Sequence, residues 1–173
     1  LLWYFIQQKE FEAAFIQARS LDKRLSENGE RVFSLGRMAV ANQAWEAGFQ
    51  CFQYIIDRGE TNPFWFSSRI ELMDARYQKI TSSFNPTTEE IATLKTEYLT
   101  VLNDMGRNAQ TLPLIRNLAH LEAFYLSNTE TAKEILTQAL ALNNAKAADL
   151  ARCKIELADI LLMSGDIWEA TLL

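Results

Sequence analysis

Apolar residues recur along the chain at three- and four-residue spacing, in stretches broken by short polar runs, and this pattern predicts a succession of amphipathic helices. The polar runs Gln7–Glu10, Ala41–Ala44 and Ser164–Asp166 are short enough to be tight turns between antiparallel neighbours. In the middle of the chain Phe66, Ile70, Met73, Tyr77 and Ile80 mark one helical stripe, on a helix predicted from about Asn62 to Thr81. Ser82–Pro86 breaks it. Thr87 with Glu90 three residues later then forms a capping box, which starts a helix displaying Ile91, Leu94, Tyr98, Val101, Leu102 and Met105 and stopping at Gly106.

The helical pattern repeats. Leu1–Phe5 followed by Phe11–Ala14 recurs as Leu35–Ala39 followed by Trp45–Gly48, every member shifted by 34 residues. The same internal spacing returns in Ala119–Ala123 with Thr129–Ala132, and in Leu157–Leu161 with Ile167–Ala170. Each copy reads as a helical hairpin. Leu2, Gly36, His120 and Ala158 fall on the first helices and Ala14, Gly48, Ala132 and Ala170 face them from the second, where small side chains allow close approach. Phe11, Trp45 and Ile167 begin the second helices and cover the hairpin bottom, with polar Thr129 the exception. Between Gly48 and Ala132 the register advances by 84, so the central repeat is expanded. The hairpins expected are about 1–27, 30–58, 62–105 (expanded), 109–143 and 145–173 (incomplete).

This register resembles the tetratricopeptide repeat (TPR) family over nearly the whole chain, best in Leu157–Ala170. The run Lys154–Leu173 is similar to a segment of the large TPR proteins of Bacteroidetes, which implies a bacterial source and carries no assigned activity. The resemblance implies an all-α fold, a right-handed α-α superhelix (TPR solenoid) of four to five helical hairpins forming a single unit, first helices on the inner surface and second helices outside. It also implies a protein or peptide partner. The first-helix side chains expected on the concave face are Phe33, Arg37 and Val40, then Ser67, Glu71 and Asp74, then Asn117, Leu121 and Phe124, then Asp159. Trp3, Ile6, Ile155 and Leu162 flank them. One subgroup of the family clamps the C-terminal carboxylate of chaperone peptides with paired Lys and Asn residues. Phe33, Arg37, Ser67 and Ser68 stand at the corresponding places here, so that clamp is not expected.

Composition narrows the function classes. With 49% hydrophobic residues, 23% charged, 6 Gly and 3 Pro, the chain is neither disordered nor collagenous, and it has too few turn formers for a β-sandwich. Seventeen Lys and Arg against 22 Asp and Glu leave a net charge of −5, which gives no attraction to nucleic acid or anionic lipid. No apolar run approaches the roughly 18 residues of a membrane span, and the opening LLWYFI ends at once in Gln7–Glu10, so neither membrane insertion nor a signal peptide is expected. The chain starts without methionine and stops inside an apolar periodic segment. It therefore reads as a piece of a longer protein whose exposed ends favour self-association, and its compartment, cytoplasm or periplasm, is left open.

Candidate chemistry is sparse. His120, the single histidine, sits between Leu118 and Leu121 and reads as a packed side chain. Cys51 and Cys153 read as separate buried thiols, with a long-range disulfide in an oxidising compartment as the alternative. A zinc site would need Cys51, Cys153 and His120 from three repeats without any CxxC or HxxxH spacing. The glycines are isolated and build no phosphate loop, and Glu71 with Asp74, or Glu89 with Glu90, reads as a solvated helix face. Phe64–Phe66 reads as a packing staple, with Trp65 off the stripe and either covered by a neighbouring hairpin or open to a ligand. The expectation is a non-catalytic interaction scaffold without cofactor or metal. The alternative is a structural spacer or oligomerisation arm of a larger protein whose activity lies elsewhere.

Overall fold

The computed structural model describes residues 1–172; Leu173, the last residue of the expected fifth hairpin, lies outside them. Among the described residues there are ten α-helices and no strand: α1 (Leu2–Gln7), α2 (Phe11–Leu25), α3 (Glu30–Ala41), α4 (Trp45–Ile56), α5 (Trp65–Thr81), α6 (Thr88–Met105), α7 (Leu112–His120, continued by a π turn over Leu121–Tyr125), α8 (Thr129–Leu140), α9 (Ala147–Ser164) and α10 (Ile167–Thr171). They cluster into two compact units that divide between Ser82 and Ser83. This division falls inside the span expected for the expanded third hairpin.

One turn geometry serves four hairpins. The residue two places before the second helix, Lys9, Gln43, Ser127 or Gly165, adopts the left-handed conformation, with φ of 59°, 61°, 57° and 86°. The next amide then folds back on the first helix: Glu10 N–H donates to Phe5 O, Ala44 to Ala39 O and Asp166 to Leu161 O, each at 2.9 Å. Only the last of these turns uses glycine, so three side chains carry the strain of a positive φ for the same closure.

In the first unit the hairpin α3–α4 closes over two glycines. A Cβ on Gly36 would stand 2.8 Å from Phe52 Cε1 and 2.9 Å from Cys51 Cβ, and one on Gly48 would stand 2.6 Å from Val40 Cγ2. Around this contact Phe11, Ala14, Phe15, Ala18, Val32, Leu35, Ala39, Ala47, Cys51 and Ile55 form one buried cluster. A second cluster joins Phe52 on α4 to Leu72 and Ala75 on α5. Each fully buried Phe, Leu or Ile contributes about 2 kcal/mol by removing apolar surface from water.

Helix α5 departs from the expected reading in two ways. It begins at Trp65, not Asn62, because Asn62 serves a turn: its Oδ1 accepts from Phe64 N–H at 2.9 Å and its Nδ2 donates to Asn28 O at 3.0 Å. Its buried residues are Ser68, Leu72, Met73 and Ala75, while Phe66, Ile70, Tyr77 and Ile80 are only half-buried. Small side chains at Ser68 and Ala75 permit the approach of α4, and hydrophobicity alone does not mark them. The Ser68 hydroxyl is buried without a hydrogen-bond partner.

The second unit opens as the sequence predicts. Thr87 accepts from Glu90 N–H and the Glu90 carboxylate accepts from Thr87 N–H at 2.8 Å, completing the capping box, and α6 ends at Gly106. The π turn was not legible in the sequence. It gives the hairpin one residue more than its counterparts before the turn, so Asn128 N–H reaches back six residues to Glu122 O, at 2.7 Å, where the other hairpins reach back five. Upstream of the π turn every position therefore lies one place from where the 84-residue register puts it. Leu118 and Ala119, both 0% exposed, take the places of Leu35 and Gly36. His120, assigned by the register to the small-residue position, moves to the place of Arg37.

Candidate protein-binding surface

On α3 the buried residues Val32, Leu35, Gly36 and Ala39 face inward and leave Glu30, Ser34, Arg37 and Ala41 exposed on the opposite side. On α5 the corresponding side carries Ser67, Glu71, Asp74 and Gln78. The two helices are tied across it by Arg37 Nε and Glu71 Oε1 at 3.4 Å, while Gln78 Nε2 donates to Asp74 Oδ2 at 2.6 Å. Burial pushes the Glu71 carboxyl above its ordinary range; Arg37 opposes the shift and Asp74 adds to it.

Of the residues expected on the concave face in this unit, Arg37 and Ser67 are exposed and Glu71 and Asp74 half-buried, so all four reach the surface. Phe33 packs instead edge-on against Phe52, with ring centroids 5.8 Å apart, and lies 5.3 Å from Phe64. Val40 covers Gly48. Toward α1 the same side opens into a cleft of about 900 Å³ whose walls include Trp3, Ile6, Leu21, Arg31 and Met38. Trp65 is half-buried beneath the Arg69 guanidinium, 4.8 Å from its ring centroid.

In the second unit the one-residue shift before the π turn decides which side chains are accessible. Asn117 and Leu121, expected on the concave face, are 1% and 0% exposed, and Asn117 donates to the Tyr98 hydroxyl at 3.2 Å. Their neighbours Arg116 and His120 are half-buried in their stead. His120 stacks on Phe124 at 4.5 Å between centroids, and its Nδ1 lies 2.6 Å from Glu156 Oε1 on α9. Phe124 and Asp159 are exposed, as is Ile155.

Two further polar centres went unnoticed in the sequence. The carboxylate of Asp22, 1% exposed, accepts from Gly29 N–H and the Tyr54 hydroxyl at 2.8 Å each and from Arg58 Nη1, while Arg58 Nη2 donates to Glu27 O at 3.0 Å. Glu122, 2% exposed within the π turn, pairs with Lys95 Nζ at 2.8 Å and accepts from Asn128 Nδ2 at 2.9 Å. Both are single acids in helical text. Their partners lie in other elements, so only the folded chain reveals them.

Cys51 and Cys153 are free and buried, and burial pushes the Cys51 thiol up to about 12, far from a nucleophile's range. Among the described residues no three His, Cys, Asp or Glu side chains gather at metal-binding distance, and no helix is long and apolar enough to cross a membrane.

No family model matches the chain. No curated protein matches it either. Among solved structures the chain is similar to a thermophilic TPR protein of Thermus thermophilus, with a TM-score of 0.63 and 16% identity over 98% of this chain and 82% of that one. At that identity the likeness establishes the fold: the chain is an all-α array of stacked helical hairpins of the TPR kind.

Proposed function

We propose that the chain is a non-catalytic scaffold that binds another protein or a peptide through the exposed side of its first helices. The observation that carries this reading is the polar strip Arg37, Ser67, Glu71 and Asp74, held on α3 and α5 above a close-packed frame. A surface set in advance loses little side-chain entropy on binding, which favours recognition without chemistry. A net charge of −5 argues for a protein partner over a nucleic acid. The likeness of Lys154–Leu173 to the large TPR proteins of Bacteroidetes supports a bacterial source. The test is affinity capture from the source cell with Arg37→Ala, Glu71→Ala and Asp74→Ala combined. Loss of specific partners supports the reading, and an unchanged set contradicts it.

A second reading, a spacer or oligomerisation arm, is favoured by exposed apolar side chains away from the ends, at Ile16, Leu99 and Phe124, which are 56%, 42% and 40% exposed. Light scattering over a dilution series separates the two, because a strictly monomeric chain is no oligomerisation arm.

A further inference from the structure

The junction between the first two hairpins contains the one Asn–Gly pair of the sequence, Asn28–Gly29. Such a pair is open to self-modification, because glycine has no side chain to obstruct its own nitrogen, which can close on the asparagine side-chain carbonyl and expel ammonia. In this chain the peptide group that joins the two residues is held at both polar ends. Its carbonyl, Asn28 O, accepts from Asn62 Nδ2 at 3.0 Å, and its amide, Gly29 N–H, donates to Asp22 Oδ1 at 2.8 Å. One partner comes from α2 and the other from the loop between α4 and α5. On either side of the pair Glu27 O accepts from Arg58 Nη2 at 3.0 Å and Gly29 O accepts from Phe33 N–H at 2.8 Å. Ile55 closes the remaining side, since a Cβ on Gly29 would stand 3.1 Å from its Cγ1.

Ring closure works against each of these bonds. The ring nitrogen carries no hydrogen, so closure removes the donor that Asp22 accepts from, and drawing the nitrogen onto the side chain moves the carbonyl that Asn62 holds. Asp22 also resists the loss of the proton itself, because a carboxylate facing the N–H opposes a second negative charge beside it. That carboxylate is fixed in place: it is 1% exposed and accepts from the Tyr54 hydroxyl and Arg58 Nη1 as well. Reaction therefore has to wait for a local opening of the junction.

We propose that Asn28 is a deamidation site which Asp22 and Asn62 keep closed, and that it reacts irreversibly when the junction opens. In the first step Gly29 N gives its proton to hydroxide and bonds to Asn28 Cγ, the Cγ–Nδ2 bond breaks, and Nδ2 leaves as ammonia with a proton from water. Water then opens the five-membered ring. Cleavage between the nitrogen and Cγ gives aspartate, and cleavage between the nitrogen and the main-chain carbonyl carbon gives isoaspartate, whose main chain is longer by one carbon. The net change exchanges water for ammonia and involves no oxidation. Isoaspartate moves the carbonyl and the amide apart, so Asn62 and Asp22 no longer engage both, and the modified junction does not re-form. Because α3 begins at Glu30, directly after the pair, the lesion lies at the start of the helix that carries Arg37. The inference is independent of the scaffold reading.

The experiment ages the 173-residue chain in mildly alkaline buffer, folded or unfolded in guanidinium chloride, beside the synthetic peptide Leu25–Arg31, which trypsin also releases from the chain by cutting after Arg24 and Arg31. Mass spectrometry of that peptide reads the exchange of amide for acid against an unaged sample, and chromatography separates aspartate from isoaspartate. The folded chain is expected to react at least about tenfold more slowly than the unfolded chain and the free peptide. Asn62→Ala and Asp22→Asn, each checked for persistent helical circular dichroism, should speed the folded chain about fivefold. Gly48→Ala, which strains the α3–α4 contact away from the junction, should leave its rate unchanged. A folded chain that reacts as fast as the peptide, or a rate indifferent to Asn62→Ala, overturns the proposal. An equal acceleration by Gly48→Ala also overturns it, by placing the protection in global stability. If Asp22→Asn does not fold, Asn62→Ala decides alone.

Discussion

Asn62 donates from Nδ2 to the carbonyl of Asn28 at 3.0 Å, and the two residues stand 34 apart, one repeat length. Other polar ties between successive hairpins keep nearly the same separation: Arg37 with Glu71, Glu46 with Lys79 at 2.6 Å, and Lys133 with Asp166 at 2.7 Å. The repeat is thus written in the bonds between neighbouring hairpins as well as in the apolar pattern within each. The exposed pairs among them contribute little energy individually and act mainly to set registration.

Asp22 is the exception, being buried. Asp22→Ala leaves the Gly29 amide, the Tyr54 hydroxyl and the Arg58 guanidinium without their shared acceptor, and is expected to lower stability by about 3 kcal/mol. Urea denaturation followed by circular dichroism measures this. Asp22→Asn, which keeps an acceptor oxygen, should lose less.

Gly48→Ala sets two effects against each other. Alanine favours the helix by about 1 kcal/mol, yet its Cβ would stand 2.6 Å from Val40 Cγ2, and overpacking of this kind costs about 1–3 kcal/mol. Val40 is β-branched and cannot swing aside freely. Net destabilisation is expected, and Val40→Ala in the same chain should recover part of it, so a double-mutant cycle on thermal unfolding should give a coupling of opposite sign to the single losses.

Alkaline pH should destabilise the fold through Cys51. Its thiol ionises near 9 when the chain is unfolded and at about 12 when buried, so between those values the folded chain holds the extra proton. Stability associated with this group is complete below pH 9 and falls as pH rises toward 12, at up to about 1.4 kcal/mol per pH unit. Unfolding free energies measured across about pH 8 to 11 check the slope, and Cys51→Ala should flatten it while lowering the starting stability.

Phe84 is fully exposed at the start of the second compact unit, two residues past Ser82. Brief chymotrypsin treatment should therefore cut first after Phe84, giving two fragments by mass spectrometry. Phe84→Ser should remove that first cut and leave later ones unchanged.

Features that depend on a few neighbouring residues were legible in the sequence. The Thr87–Glu90 box, the stop at Gly106, the turns before Phe11 and Trp45 and the 34-residue offset between the first two hairpins all follow from local chemistry repeated along the chain. What depends on the folded surroundings was not. A single inserted residue absorbed as a π turn leaves the apolar periodicity almost intact, yet it buries Asn117 and Leu121 and brings Arg116 and His120 toward the surface. Asp22 and Glu122 look like ordinary surface acids until partners 32 and 36 residues away for one, and 27 residues away for the other, close on them. The start of α5 at Trp65 is not legible because Asn62 closes the turn before the helix while its Nδ2 reaches Asn28, a distant partner.

The most direct measurement of the binding account is site-specific photo-crosslinking in the source cell, with a photoreactive phenylalanine analogue at Ser67 on the exposed first-helix side or at Gln50 on the outer side of α4. Both positions are exposed, so either probe should be tolerated. A discrete protein adduct from Ser67 and none from Gln50 is the expected result. An adduct from Gln50 alone would contradict it.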